Sequence, residues 1–162
     1  TYASIQRRVD ALAVVHRNHF AELEENRGVA LRSLISELAA NLRATAPPSA
    51  SNMMIRLDIE PYYATQDVAV SIAFLVTEIV EFVMLCGANP VTISLTGKED
   101  RVACLAVESE SLKAGVDCDA LLSERFNRIV TGLSRQLRSA IDRDEDNGRY
   151  RLDIQVVGRG DH

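Results

Sequence analysis

Phe74-Leu75-Val76-Thr77-Glu78-Ile79-Val80-Glu81-Phe82-Val83 forms the centre of one long apolar stretch running from Val68 to Gly87. As a helix, that stretch has the length to cross a bilayer. Glu78 and Glu81 stand inside it, however, and each carboxylate would be costly in hydrocarbon. The pattern therefore predicts a core helix from about Gln66 to Leu85, apolar on most sides and not inserted in a membrane. Gly87-Ala88-Asn89-Pro90 ends it.

Strands are expected on both sides of this helix. Met54 to Glu60 alternates, with Ile55, Leu57 and Ile59 on one face, and Pro61 to Ala64 breaks the run. Val91 to Thr96 and Val102 to Glu108 form a second and a third strand around a hairpin turn at Gly97-Lys98-Glu99-Asp100. Ser109 to Ser123 is polar and irregular. Ser123 is then the expected N-cap of a helix carrying Phe126, Ile129, Val130, Leu133 and Leu137. Asp146-Asn147-Gly148 signals another hairpin, between about Ser139 to Glu145 and the alternating strand Tyr150 to Val157. Gly158-Arg159-Gly160 reads as a frayed tail.

The N-terminal part is helical. Ile5, Val9, Leu12, His16 and His19 recur as a heptad-like stripe on a helix from about Tyr2 to Phe20, suited to packing against a partner helix. Glu22 to Gly28 is a polar connection. Leu31, Leu34, Ile35, Leu38 and Leu42 mark a second amphipathic helix, stopped by Pro47 and Pro48. This order of elements predicts an α+β fold, a two-layer sandwich with helices on one face, preceded by an N-terminal helical segment.

Composition narrows the class. The chain has 162 residues, 47% hydrophobic and 25% charged, the balance of one ordinary globular domain. Eighteen Lys and Arg against 23 Asp and Glu give a net charge of −5 with no basic cluster, which argues against a nucleic-acid partner. Cys86, Cys104 and Cys118 are far apart, odd in number and form no Cys-x-x-Cys pair. They are expected to be free thiols in a reducing cytoplasm. No apolar run follows Thr1, so no secretory signal is read there. His16 and His19 could ligate a metal, but no third ligand is evident, so they read as an interface and a surface residue and no metal site is expected.

Several strings, in this order, resemble the HWE and related second-subfamily sensor histidine kinases of bacteria. Arg8-Val9-Asp10-Ala11-Leu12-Ala13-Val14-Val15-His16 is similar to the end of that family's second dimerisation helix. Val29 to Arg43 resembles its first catalytic-domain helix, and Phe74 to Val83 its N-box helix. Leu105 to Leu112 sits where the family has a strand running into D-x-G-x-G. Arg128-Ile129-Val130 and Leu133-Ser134-Arg135-Gln136-Leu137 resemble its last helix. The resemblance implies a mixed-sheet Bergerat-type (GHKL) ATP-binding domain over residues 29–158. Residues 1–26 would then be the end of a dimerisation and phosphotransfer segment that makes a homodimer. The phosphorylated histidine has no matching motif here and is expected outside these residues.

The residues that a Bergerat site needs are altered. The resemblance puts Phe82 at the position of the magnesium-binding asparagine, and phenylalanine has no oxygen to donate. The earlier asparagine of the pattern is Thr77. The adenine-binding aspartate falls on Ser109 and the following glycine on Ser111; a one-residue slip brings Glu108 or Glu110 there instead, still without the glycine. A lid glycine falls near Phe126, where any side chain would crowd a phosphate. A basic residue usual late in the N-box helix falls on Leu85 or Cys86. Only Glu78 survives, four residues before Phe82 on one helical face. It reads either as a remnant base, activating water or a phosphoacceptor histidine, or as a helix carboxylate satisfied by a nearby arginine. Glu78 and Glu81 together could suggest a paired-carboxylate site, but no second acid/base constellation supports one, so they read as a partly solvated helix edge.

Losing a metal ligand, an adenine acceptor and the lid glycines removes about 1–3 kcal/mol each where a buried polar partner is lost. At about 1.4 kcal/mol per tenfold, that amounts to several orders of magnitude in affinity. The resemblance thus implies a two-component protein that uses neither ATP nor magnesium well. Such a protein would act as a histidine phosphotransferase or phosphatase-type module docking a response-regulator receiver domain. The alternatives are a diverged, working ATP-dependent histidine kinase, and a structural dimerisation or scaffold module.

Overall fold

The computed structural model describes residues 2–22, 28–116 and 118–160. The elements run α1 (Tyr2–Glu22), β1 (Val29–Ala30), α2 (Leu31–Ala44), β2 (Ile55–Ile59), β3 (Tyr62–Ala64) and α3 (Gln66–Leu85), followed by β4 (Val91–Glu99), β5 (Val102–Glu108), α4 (Ala120–Gln136), β6 (Asp142–Asp144), β7 (Arg149–Gln155) and β8 (Gly158–Arg159).

Five strands form one mixed sheet in the order β2-β4-β5-β7-β6, with β2 and β4 parallel and the other neighbours antiparallel. Strand alternation gives the sheet two unlike faces. Register sets Leu95 beside Leu105 and Leu105 beside Leu152, and in the next row Ile93 beside Val107 and Val107 beside Tyr150. All six are buried under the helices. The opposite face is polar and carries the Lys98–Asp153 and Arg151–Asp142 ion pairs, 2.8 and 2.7 Å. This is the two-layer α+β arrangement expected from the order of elements. α3 is its central helix, buried along most of its length by the sheet, α1, α2 and α4. It is long and apolar enough to cross a membrane, but 72% of its apolar window is buried inside the fold.

Four local expectations are corrected. α4 begins at Ala120, capped by Asp119 and not by Ser123: the Asp119 carboxylate accepts from the Leu121 and Leu122 N–H groups at 2.8 and 3.2 Å. An aspartate there satisfies two otherwise orphaned amides, and Ser123 is already inside the helix. The break at Pro61 to Ala64 holds a strand, β3, which pairs with β1 and β8 in a small antiparallel sheet. Gly158-Arg159-Gly160 is therefore not a frayed tail; the Gly160 N–H also donates to the Pro61 carbonyl at 2.6 Å. Finally, Cys86 and Cys118 form a disulfide, leaving Cys104 as the free cysteine among the described residues.

α1 packs on α2 and α3 through Ala11, Val14 and Val15. The heptad-like stripe lies on its other side: Ile5 is 63% exposed, Val9 55% and Leu12 37%, and His16 is exposed as well. The side chain of His19, and residues 23–27 of the expected connection, lie outside the described residues.

Candidate functional site

In the cleft between α3 and α4 the side chains of the N-box-like stretch meet the last helix. Glu78, Phe82 and Leu85 follow one another along one face of α3, at spacings of four and three. Opposite them stand Leu122, Phe126 and Ile129 of α4, again at helical spacing. Together with Glu81 and Arg125 they line a compartment of about 200 Å³. A second compartment, about 140 Å³, lies beside it, lined among others by Ser111, Cys118 and Tyr150.

Phe82 and Phe126 line both compartments and so form the wall between them. Their rings stack with centroids 4.0 Å apart and planes 13° from parallel. Phe126 in turn stacks on Tyr150, 6.1 Å away, and the Arg143 guanidinium lies over the Tyr150 ring at 5.6 Å. Each compartment is smaller than the roughly 300–1,000 Å³ usual for a small-molecule site. A wider depression of about 650 Å³, open to solvent, lies at the other end of α4 and gathers Arg135, Arg138 and Arg143; it contains none of the positions that the resemblance assigns to the nucleotide site.

The two carboxylates at the cleft are taken by α1. Arg8 reaches across to Glu78, with Nε and Nη2 at 2.9 and 2.8 Å from Oε1. Arg7 lies 3.5 Å from Glu81 and also donates to the Thr45 carbonyl at the end of α2. Glu81 is the more burdened group. Burial pushes its carboxyl above the usual range, Arg7 pulls it partly back, and the neighbouring Glu78 charge adds to the rise. Its Oε2 is buried without a hydrogen-bond partner.

The remaining sequence-derived positions divide. Ser111 reaches the second compartment, where its hydroxyl accepts from the Asn89 amide at 2.9 Å. Ser109 is buried and committed to local structure: its N–H donates to the Gly148 carbonyl, and its hydroxyl accepts from the Ser111 N–H at 3.3 Å. Gly148 fits against it only as glycine, since a Cβ there would meet the Ser109 carbonyl oxygen at 2.2 Å. Thr77 is not at the cleft. It is one residue, about 100° of helix, from Glu78, and lies beside Arg7, Ala11 and Leu38 on the side facing α1 and α2. Sequence reasoning missed Tyr150, Arg7, Arg8 and Arg125. The hairpin at Gly148 was legible, and continuing its register to Val107 would have put Tyr150 on the helix-covered face.

A magnesium ion bridging phosphates does not fit this donor set. Phe82 supplies no oxygen, the two carboxylates nearby are held by arginines, and no group of three metal-capable side chains occurs among the described residues.

No family profile and no curated protein sequence matches the chain. Solved structures do. The Erythrobacter litoralis EL346 blue-light activated histidine kinase superposes with a TM-score of 0.74 at 18% identity, over 95% of this chain and 54% of that one. The chain carries the histidine-kinase domain fold. The excised histidine kinase domain of the same Erythrobacter protein gives 0.69 over 94% of this chain and 75% of the other, at 18% identity. Acinetobacter baumannii histidine kinase AdeS gives 0.55 at 12% identity, over 93% and 75%. The chain thus spans about half the length of the first EL346 kinase chain.

Proposed function

We propose that this chain belongs to a two-component signalling protein of the HWE-like group, and that its histidine-kinase-like domain no longer uses ATP well. Its role is to dock a response-regulator receiver domain, as a histidine phosphotransferase or phosphatase-type module, on the cytoplasmic side. The phosphorylated histidine is supplied from outside these residues. The observation that carries this reading is the Phe82–Phe126 stack. The resemblance assigns those two positions to the magnesium ligand and to a lid glycine, and here the two side chains fill that space with each other. The Arg8–Glu78 pair supports it further, because the one retained polar position already has a counter-charge.

The deciding experiment is a calorimetric titration of the chain with magnesium-ATP. The expected result is no binding up to roughly 1 mM nucleotide, a free energy weaker than about −4 kcal/mol. Micromolar, magnesium-dependent binding would overturn the proposal in favour of a working kinase, and Glu78→Gln would then test Glu78 as its base.

A further inference from the structure

We propose that Cys86 and Cys118 are a reversible thiol-oxidation site that clasps the α3–α4 cleft shut. This regulation of the α3–α4 cleft rests on the proposed function only in taking that cleft as the altered nucleotide pocket of the domain.

The pair occupies a mechanically telling position. Cys86 caps the C-terminal end of α3, is 2% exposed and lies one turn beyond Phe82. Cys118 directly precedes Asp119, the N-cap of α4, whose carboxylate holds the first-turn amides of Leu121 and Leu122. The bond joins residues 32 apart in sequence with Cα atoms 5.5 Å apart. It therefore ties the end of one helix to the start of the other, and those two helices contribute the stacked Phe82 and Phe126. Upstream of Cys118 the segment is held where the Ala114 N–H donates to the Glu145 carbonyl. Among the described residues between that bond and Asp119, the disulfide is the tether to α3.

Two features argue for reversibility over permanent stapling. A single disulfide in a chain with a continuous apolar core meets none of the need seen in small secreted domains with many disulfides. Cys118 is half-buried whereas Cys86 is enclosed, so Cys118 is the more accessible partner for an attacking thiolate. Cys104 does not compete. It lies on β5 opposite Asp153, and alternation turns it away from the helix-covered face of Leu105.

The exchange balances with a low-molecular-weight thiol–disulfide couple as co-reactant. A thiolate attacks the Cys118 sulfur and the Cys86–Cys118 bond breaks. Cys86 leaves as a thiolate and takes up a proton. A second thiol attacks the mixed disulfide, releasing Cys118 as a thiol and the reagent as its disulfide. Two electrons and two protons pass to the protein, and oxidation is the reverse.

The test uses the whole chain in glutathione buffers poised from reducing to oxidising. Alkylation followed by intact mass should count three thiols in the reduced form and one, Cys104, in the oxidised form. Hydrogen exchange of the first two turns of α4 should quicken roughly tenfold on reduction, while β4 and β5 stay unchanged. Cys118→Ser, at a half-buried position, should exchange like the reduced protein in both buffers. Three thiols at every poise, or first-turn exchange that ignores the buffer, would overturn the proposal. Magnesium-ATP binding, titrated in both forms, separates the two ideas. Micromolar binding in either form removes the proposed function and leaves the clasp; an insensitive α4 without nucleotide binding does the opposite.

Discussion

Phe82 of α3 and Phe126 of α4 stack nearly parallel with ring centroids 4.0 Å apart, and the contact is the wall that divides the cleft. Phe126 is 4% exposed and also touches Tyr150, so it anchors α4 on the sheet as well as on α3. Truncating a buried phenylalanine costs about 3–5 kcal/mol through lost transfer energy and the cavity left behind. Phe126→Ala should fall in that range in urea unfolding. Phe82→Ala should cost less, because Phe82 keeps part of its surface in water. A double-mutant cycle should return a coupling of about 0.5–1.5 kcal/mol. Strictly additive losses would mean that the two rings sit apart in solution and the wall is open.

Glu81 makes stability fall as pH rises. Its carboxyl titrates above the ordinary value of 4.5, with burial the leading cause and Arg7 only partly offsetting it. A group whose folded pKa is raised binds its proton more tightly in the native state than in the unfolded chain. Its favourable contribution is therefore complete below the unfolded value. It is lost as pH climbs from about 4.5 through the folded pKa. Glu81→Gln removes this titration. Its urea midpoint should exceed that of the wild type at pH 8, and the gap should shrink towards pH 4. A gap that is constant with pH would show that the Arg7 partnership cancels the burial.

The core helix was legible because an apolar run interrupted by Glu78 and Glu81 has few homes other than a protein interior. The hairpins were legible from Gly148 and from strand alternation, although the first turn is Asp100-Arg101 and not Gly97 to Asp100, because β4 continues past a bulge to pair Glu99 with Val102. The start of α4 was not: Leu121 and Leu122 precede Ser123, and the polar stretch before them conceals Asp119 as a cap. β3 and β8 are three and two residues long, too short for any periodicity, and one lies beside Pro61 while the other holds Gly158. The disulfide was invisible because Cys86 and Cys118 meet only after β4 and β5 have folded between them. At the site, Phe82 and Phe126 came from the resemblance. The arginines that hold Glu78 and Glu81 came from α1, some 70 residues upstream, a distance no local pattern spans.

The stripe on α1 had the right residues, but spacing alone cannot say which side of a helix faces its own chain. Small Ala11 and branched Val14 and Val15 make the intramolecular seam, which leaves Ile5, Val9 and Leu12 in water on a shared face at i, i+4 and i+7. Exposed apolar side chains in such a row suit a second copy of the helix, in line with the homodimer that the resemblance implies. Val9→Lys with Leu12→Lys should therefore convert a sedimenting dimer into a monomer. Fold stability should move little, since changes at exposed positions away from caps and ion pairs stay within about 0.5 kcal/mol. A wild-type chain that sediments as a monomer at every concentration, or a double variant that stays dimeric, would rule out this face as the dimer contact.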